Sequence, residues 1–525
     1  MKLVSELELG SNDAEDYKRK EMKQLFNEVF LKDHNLDKLL QSSTFFLMGE
    51  KGTGKTAYAV FLANNEYKNT RSQIKYIRET QYQKFVSLKM EKHLNLSDYA
   101  AIWRVILLVL LAANIKEDDI NNPFSKNQKL KAIRDAIDNY YNHAFSPEIA
   151  AIMQMVDHTK ETAELLFRAL KFGTDNENTV TFSETKFQTN LNYIEKQLLD
   201  SLLELKLSYN QFLFVDGIDI RPNGIEYKEY LSCVKGLSEA VWSLNNDQLC
   251  ISNGSKGRMK IVILIRPDIF QAVGLQNSTN KIRNNSVFLD WRTTYPEHRN
   301  SNLFKLADKL LTFNQQIPNQ STGYFFDHYF KWQSASTNDN REVDTPFIDF
   351  LRLSYSRPRD IVTIMQTMQI IQTQRDSGEV VFQKEIFKSK EFLNSFSEYL
   401  MGGIKDQLAF YYSDENFQML MHFLSLFKGH AEFEYSFYCD KYKIFCDYVL
   451  EKATELPEFI EDKELFLQFL YDSNIICYID DGEREPLFRW CYRERNVANM
   501  SPKVETEKKY RFHYGLLKAL NLGSY

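Results

Sequence analysis

One segment of eight residues constrains the fold more than any other part of the sequence. Residues 49–56 are Gly-Glu-Lys-Gly-Thr-Gly-Lys-Thr, which matches the pattern G-x-x-x-x-G-K-[ST] in full. The apolar run 44–48 before it predicts a buried strand, and residues 56–65 after it have a compact helical pattern. A strand, a glycine-rich turn and a helix in this order are the context of a phosphate-binding loop.

Each residue type in this loop has a physical role toward a triphosphate. The residues whose backbone N–H groups are predicted to surround the phosphates are Gly49, Glu50, Lys51, Gly52, Thr53 and Gly54. The helix that follows adds a favourable dipole. Lys55 is expected to reach the β- and γ-phosphates, and the Thr56 hydroxyl to ligate Mg²⁺. The loop therefore predicts ATP and Mg²⁺ as ligands.

A second acidic motif follows a second buried strand. Residues 212–215 are apolar and lead directly into Asp216, with Asp219 three residues later. A carboxylate at the tip of a parallel strand is expected beside the phosphate loop, so Asp216 is predicted to hold Mg²⁺, mainly through water. Asp219 is predicted to orient or deprotonate the attacking water, or to complete the metal shell. The alternatives are a surface acid for Asp216 and a helix N-cap or loop residue for Asp219.

The pattern of apolar runs predicts an α/β fold. Helical segments separate the predicted strands, which implies a mostly parallel sheet covered on both faces. The predicted strands are residues 44–48, 74–77, 212–215, 261–265 and 286–290.

Composition changes along the chain divide it into four predicted parts. They are an N-terminal helical segment at 1–41, a P-loop core at 42–315, a helical lid at 316–405 and a winged-helix-like domain at 420–525. The core includes a large helical insertion at about 80–205, interpreted as a docking or sensing surface, with core padding as the alternative. Gly402-Gly403 predicts a hinge, and residues 475–479, 486–492 and 510–514 predict a hairpin with a third strand.

The spacing Asp216-Gly217-Ile218-Asp219 resembles the Walker B motif of STAND-type ATPases, notably the NACHT branch. Their AAA+ relatives usually have an adjacent Asp-Glu pair, and Gly217 occupies the place of that glutamate here. The resemblance implies slow hydrolysis and a molecule that acts as a switch more than as a motor.

Three arginines are placed where these related ATPases have nucleotide-sensing residues. Arg266 follows the strand 261–265 and is predicted to contact the γ-phosphate or the attacking water, with an ion pair to Asp268 or Asp219 as the alternative. Arg283 is the candidate arginine finger toward a neighbouring subunit, with a solvated surface charge as the alternative.

The third arginine lies in the predicted lid. The segment Ser356-Arg357-Pro358-Arg359 resembles the sensor-2 element, with Ser356 in place of the usual glycine. Arg359, or alternatively Arg357, is predicted to reach the nucleotide and so to couple the lid to the triphosphate. Proline at the start of a helix is also ordinary N1 chemistry, which leaves a purely structural interpretation open.

In their order along the chain, these motifs resemble bacterial FunZ-type P-loop ATPases, which are close to STAND and origin-recognition-like AAA+ proteins. The likeness is specific at residues 49–56 and 212–219 only. It implies self-association, a separate effector protein and a role in anti-phage defence.

The charge balance argues against a general nucleic-acid coat. Lys+Arg 65 against Asp+Glu 71 gives a net charge of -6. The stretch 432–472 holds 11 acids and 4 lysines, which would repel phosphate. The predicted hairpin is better supplied with cations: Arg484, Arg489, Arg493 and Arg495. Protein contact is therefore the favoured prediction for this domain, and duplex binding is the less favoured one.

The remaining features predict a cytoplasmic protein. The 6 cysteines form no C-x-x-C pair, which favours a reducing compartment. The N-terminus has no signal-peptide pattern, and the most apolar stretch, 99–113, contains Arg104 and is too short to cross a bilayer. Neither a zinc site nor a nuclease, protease or deaminase pattern is found, so an effector activity is expected in a partner.

Three functional hypotheses follow from the sequence. The leading one is an Mg²⁺-dependent ATPase that acts as a regulatory switch on a partner effector. The second is a DNA-acting AAA+ ATPase, such as a loader, repair factor or initiator. The third is a nucleotide-binding scaffold with little hydrolysis.

Overall fold

The computed structural model describes residues 1–77, 96–120, 192, 195–196, 198–222, 224–250, 254–315, 317, 320–334, 345–452, 456–482 and 486–522. This part of the chain forms two compact units. The core unit is Asp33–Gly49 and Lys55–Phe288, and the helical unit is Met1–Lys32, Glu50–Gly54 and Leu289–Tyr525. The glycine-rich segment is thus divided, because residues 50–54 cluster with the helical unit and residues 49, 55 and 56 with the core unit.

The described α-helices are, in chain order, α1 (Lys20–Val29), α2 (His34–Leu39), α3 (Lys55–Asn64), α4 (Leu96–Asn114), α5 (Tyr227–Ser243), α6 (Pro267–Val273), α7 (Ser278–Asn285), α8 (Asn302–Leu310), α9 (Tyr324–Tyr329), α10 (Pro346–Leu353), α11 (Pro358–Arg375), α12 (Lys384–Phe387), α13 (Lys390–Leu408), α14 (Asp414–Ser425), α15 (Tyr435–Lys452), α16 (Lys463–Asp472) and α17 (Cys491–Glu494). The described strands are β1 (Phe46–Met48), β2 (Thr70–Tyr76), β3 (Asn210–Asp216), β4 (Met259–Ile265), β5 (Ser286–Phe288), β6 (Glu432–Glu434), β7 (Ile476–Asp480), β8 (Leu487–Trp490) and β9 (Lys509–Phe512).

The core unit contains a sheet of five strands in the order β2-β3-β4-β1-β5, and all its pairs are parallel. Every residue of β1 and β4 is buried, as expected for central strands covered on both faces. The predicted α/β class with a parallel sheet is therefore confirmed. The apolar runs mark the five strands, although β2 begins at Thr70, earlier than predicted.

The strand order places a switch in winding direction between β1 and its neighbour β4. The chain leaves β1 toward the edge strand β2, and it leaves β4 toward the opposite edge strand β5. In open parallel sheets, a crevice forms at the carboxyl ends of two strands whose connections leave in opposite directions. Gly49 and Arg266 directly follow these two strands.

The helical unit has a core of aromatic and aliphatic side chains contributed by α8 to α16 and by an antiparallel sheet of order β6-β9-β7-β8. The pairing of β7 with β8 confirms the predicted hairpin, and β9 on β7 confirms its third strand. Strand β6, which pairs with β9, was not predicted. The winged-helix interpretation and the four-part division stay predictions.

Two further predictions concern the glycine pair 402–403 and the helical insertion. The Gly402-Gly403 hinge is wrong, because both glycines lie inside the continuous helix α13. Of the predicted helical insertion, α4 is present, whereas residues 80–95 and 121–191 lie outside the described residues. Within the described ranges, no helix has both the length and the apolar character needed to cross a membrane.

Candidate functional site

A side-chain hydrogen bond in the core unit joins the first turn of α3 to the tip of β3. The Thr56 hydroxyl donates a hydrogen bond of 2.7 Å to Oδ2 of Asp216. The other carboxylate oxygen, Oδ1, accepts the backbone N–H of Gly217 at 2.8 Å. The two predicted metal-binding residues are therefore adjacent, although they are 160 residues apart in the sequence.

Lys55 and Asp219 form a second pair next to the first. The Lys55 side chain is buried, and its Nζ lies 3.6 Å from Asp219 Oδ2 and donates to the carbonyl of Gly49 at 2.9 Å. Asp219 Oδ1 is a buried oxygen that accepts no hydrogen bond from any described residue. A buried carboxylate oxygen without a donor is suited to a cation or to a water molecule.

Backbone geometry explains why a glycine, Gly217, follows Asp216. Gly217 has φ 95°, a left-handed conformation that favours glycine. A Cβ atom at this position would lie 2.5 Å from the carbonyl oxygen of Ile77, which follows the neighbouring strand β2. The turn after β3 therefore excludes any larger residue beside Asp216, and Asp219 is the nearest residue that can supply a second carboxylate.

The electrostatics of Asp216 favour a cation at this strand tip. Burial raises the pKa of the Asp216 carboxyl, the Thr56 hydrogen bond opposes this shift, and the neighbouring Asp219 carboxylate adds to it. Burial therefore destabilises the ionised form of Asp216 when no counter-ion is present. A divalent cation would remove this destabilisation.

The donor set fits Mg²⁺ bound together with a phosphate. Thr56, Asp216 and Asp219 offer only oxygen atoms, which Mg²⁺ prefers. No group of three or more His, Cys, Asp or Glu side chains that could hold a metal is found among the described residues. Mg²⁺ typically uses one or two carboxylates plus substrate phosphates rather than a complete protein cage, so two carboxylates and a hydroxyl are sufficient.

In the glycine-rich loop 50–54, which clusters with the helical unit, the carbonyls of residues 50–53 accept hydrogen bonds from other parts of that unit or from the loop itself. Trp291 Nε1 donates to the carbonyl of Thr53 at 2.8 Å, and Arg357 Nη1 donates to that of Lys51 at 2.8 Å. The backbone N–H of Arg359 donates to the Gly52 carbonyl at 3.3 Å. The Glu50 carbonyl accepts the Thr53 hydroxyl at 2.8 Å.

In contrast to the carbonyls, two backbone N–H groups of the same loop have no acceptor among the described residues. Gly52 and Gly54 have φ 88° and 93°, and their N–H groups donate to no described residue. Left-handed glycines in a turn point successive N–H groups into a concave nest that binds anions. Since the carbonyls are bound and the glycine amides are not, the loop presents donors for a phosphate.

The side chains of Glu50 and Lys51 are paired within the helical unit. Glu50 forms an ion pair with Arg495, which is buried and also lies 3.5 Å from Asp472. Burial lowers the pKa of Arg495, but its neighbours, led by the Glu50 carboxylate and including Asp472, together outweigh this effect and raise the pKa. The Lys51 Nζ pairs with Asp406 at 2.5 Å. The loop is therefore connected to α13, which carries Asp406, and to the segment after α17, which carries Arg495.

A buried ion pair positions the arginine that binds the loop. Arg357 Nε donates to Asp360 Oδ2 at 3.1 Å, and Tyr399 donates to the other carboxylate oxygen at 2.9 Å. Burial lowers the pKa of Arg357, but its neighbours, led by Asp360 and including Tyr399, together outweigh this effect and raise the pKa. Ser356 has φ 54°, a left-handed conformation that favours glycine.

The predicted sensing arginines are not all brought to the strand tips. Arg266 is buried at the end of β4 and donates from Nε to Asp268 Oδ1 at 3.0 Å, which is the ion pair left open above. Arg283 is exposed on α7, and no described residue bonds its guanidinium. Arg359 Nε donates to the Asn12 carbonyl at 3.0 Å. Their roles toward a nucleotide stay predictions.

The hairpin arginines make contacts inside the helical unit. Arg489 lies 3.8 Å from Asp480 and 3.4 Å from Glu494, and Arg493 stacks over Tyr295 with 5.3 Å to the ring centroid. Arg495 is the Glu50 partner, and Arg484 lies outside the described residues. These contacts reduce the positive charge available for nucleic acid.

Sequence reasoning missed the residues that hold the loop. Trp291 and Arg495 are 238 and 445 residues from their partners in the loop, so no local spacing relates them. The one available signal is Arg357, which the sensor-2 resemblance named as the alternative to Arg359.

Two comparisons with known proteins, one with family models and one with curated proteins, were negative. No protein-family model matches the sequence, and no curated protein matches it. The case for a nucleotide site therefore depends on the motifs and on the geometry described above.

Proposed function

We propose that this chain binds ATP with Mg²⁺, hydrolyses it slowly, and acts as a nucleotide-dependent switch on a partner. The observation that carries the proposal is the 2.7 Å hydrogen bond between Thr56 and Asp216, at the carboxyl edge of a parallel sheet and directly after a glycine-rich loop. A hydroxyl and a carboxylate in contact at a strand tip are the pair that P-loop enzymes use for Mg²⁺.

Each residue has a defined task in this proposal. The N–H groups of Gly52 and Gly54 bind phosphate oxygens, and Lys55 turns from the Gly49 carbonyl to the β- and γ-phosphates. Thr56 and Asp216 hold Mg²⁺, which neutralises phosphate charge when it is bound. Asp219 accepts the proton of the attacking water through its unpartnered oxygen. Hydrolysis is slow because Gly217 excludes the adjacent glutamate.

The contacts of the loop support a switch. Phosphate binds to the loop 50–54, whose carbonyls and side chains are held by Arg357, Arg495 and Asp406. A change in loop conformation therefore alters contacts to α11, to α13 and to the segment after α17. In this proposal, the loop passes its change of conformation to these parts of the helical unit.

The paired hairpin arginines disfavour the DNA-acting alternative, since they are engaged with acids and aromatic rings. For the biological role, we propose control of a separate effector protein by self-association in anti-phage defence. That part rests on the resemblance to FunZ-type and STAND ATPases alone.

Turnover measurements test the enzymatic proposal. We expect Mg²⁺-dependent ATP hydrolysis by the wild type and a loss of at least about 100-fold in Lys55→Ala and Asp216→Ala, because each removes a charge from the phosphate site. Lys256→Ala, which removes an exposed lysine elsewhere in the core unit, is the matched control. Normal turnover in both site variants would refute the site. Tight ATP binding without turnover in the wild type would favour the scaffold alternative.

A further inference from the structure

A cavity lies in the core unit at the amino ends of the parallel strands, opposite the edge that carries Asp216. Its volume is ≈ 470 Å³, and its lining includes the amino-terminal residues of β3 and β4 together with the connection that enters β1. Binding sites for small molecules have volumes of about 300–1,000 Å³. The cavity is therefore large enough for a small metabolite, and its lining shares no residue with the phosphate loop.

The ionisable basic side chains that line the cavity have no acidic counterpart in the lining. The polar lining consists of two cations, Arg258 and Lys260, four asparagines and two serines, and it contains no carboxylate. Cations and amide groups without an acid favour an anion, since a buried charge needs a partner of opposite sign.

Lys260 is the buried charge of this cavity. Its side chain is 3% exposed, and its Nζ donates to the carbonyls of Leu39 at 2.6 Å and Gln41 at 2.8 Å. An ammonium has three donors, and the remaining contact among the described residues is the face of the Phe212 ring, 4.0 Å away. Burial lowers the pKa of Lys260 well below its usual value. An anion in the cavity would supply both an acceptor and the missing negative charge.

The wall beside Lys260 has an unusual backbone. Helix α5 continues into a π-helical turn at Leu244–Gln248, in which the Leu249 N–H donates to the Leu244 carbonyl at 2.7 Å. Asn245 fixes this turn to β4 by accepting the Ile261 N–H at 2.9 Å and donating to the Ile261 carbonyl at 2.8 Å. Such π-turns occur frequently at functional sites.

We propose that this cavity is a second ligand site, which binds a small phosphate- or carboxylate-bearing anion between Lys260 and Arg258. The site does not depend on the proposed ATPase function. Arg258, which is exposed at the cavity, contributes the outer charge, and Lys260 contributes the inner one.

Cys250 provides a local readout, because it lines the cavity and is the exposed cysteine of the chain. The experiment measures the rate of its modification by N-ethylmaleimide, mapped by mass spectrometry, with inorganic phosphate, citrate or neutral glycerol at equal ionic strength. All proteins carry Lys55→Ala, which weakens anion binding at the phosphate loop. We expect at least about threefold protection by phosphate or citrate and none by glycerol.

The variants decide whether the protection arises at this site. Arg258→Gln should reduce it, whereas Lys256→Gln, which neutralises an exposed neighbour outside the lining, should not. Lys260→Met should abolish it, and if that variant does not fold, Arg258→Gln decides alone. The proposal is wrong if neither anion protects Cys250, if glycerol protects equally, or if protection survives in Arg258→Gln.

Discussion

The strand-tip residues of the core unit and the glycine-rich loop of the helical unit differ in how far their polar groups are satisfied. At the strand tip, Asp216 has a raised pKa and Asp219 keeps a buried oxygen without a donor. In the loop, the carbonyls of Lys51, Gly52 and Thr53 are each bound by another part of the helical unit. The first region is arranged to receive charge, whereas the second is a scaffold whose shape is fixed by the protein.

This difference indicates how each region contributes to activity and to stability. Chemistry at the strand tip depends on a ligand that completes it, so substitutions there should affect activity more than stability. Loop geometry depends on contacts already made, so substitutions among the residues that hold the loop should affect stability and affinity together.

The largest expected effect is that of Asp216→Asn. Hydrolysis should fall at least about 100-fold, because the amide removes the negative charge that holds the cation. The apo protein should be as stable as the wild type or more stable by about 1 kcal/mol at pH 7, since a desolvated carboxylate beside Asp219 is removed. Because the folded pKa of Asp216 is raised, the contribution of this carboxyl to stability becomes more favourable as the pH falls, and the advantage of asparagine should fade in acid.

Urea denaturation at two pH values and a turnover assay measure both parts of this prediction. Asp247→Asn, at an exposed position on the π-helical turn, is the matched control. A variant that loses activity only because it is less stable would contradict the account of Asp216.

A smaller effect is expected from Arg495→Met. It breaks the buried pair with Glu50 and should lower the free energy of unfolding by about 3 kcal/mol. It should also raise the KM for ATP, because the loop loses a fixed contact. Adding Glu50→Gln should restore part of the stability, which a double-mutant cycle measures. Full additivity of the two changes would show that the pair does not couple the loop to its partner.

Trp291→Phe tests the contacts that hold the glycine-rich loop with a smaller expected loss of stability. The aromatic ring is kept and the donor to the Thr53 carbonyl is lost, which should cost about 1 kcal/mol. We expect KM for ATP to rise several-fold with little change in kcat. Trp332→Phe, in the same unit but without a contact to the loop, controls for the loss of an indole. An equal effect of the two substitutions would argue against a positioning role for Trp291.

The smallest effect is expected from Ser356→Gly. Ser356 has φ 54°, and glycine adopts this conformation without strain, so thermal unfolding should shift to higher temperature by an amount that corresponds to about 0.5–1 kcal/mol. Turnover should not change. A destabilised glycine variant would mean that the Ser356 side chain contributes more than the strain it creates.

The sequence predicts the parallel sheet well because its strands are continuous apolar runs. Residues 212–215 and 261–265 are buried on both faces, and the motif at 49–56 fixes which strand carries the loop. Asp216 could be placed because parallel strands end at one edge of a sheet. Strand β6 could not be predicted, because its sequence Glu-Phe-Glu is short and charged, and its conformation depends on pairing with β9.

The contacts that hold the glycine-rich loop, like strand β6, could not be predicted from the sequence. Arg495 and Trp291 meet it only after the helical unit has folded, and no pattern near them in the sequence indicates this. The glycine pair in α13 shows the opposite error, since a local rule predicted a break that tertiary packing overrides.

Calorimetric titration of a non-hydrolysable ATP analogue, with and without Mg²⁺, tests the central claim most directly. The wild type should bind the analogue at least about tenfold more tightly with Mg²⁺ than without it, and Asp216→Asn should lose this difference while Asp247→Asn keeps it. Absence of binding by the wild type, or an unchanged effect of Mg²⁺ in Asp216→Asn, would contradict the assignment of Thr56 and Asp216 as the magnesium site.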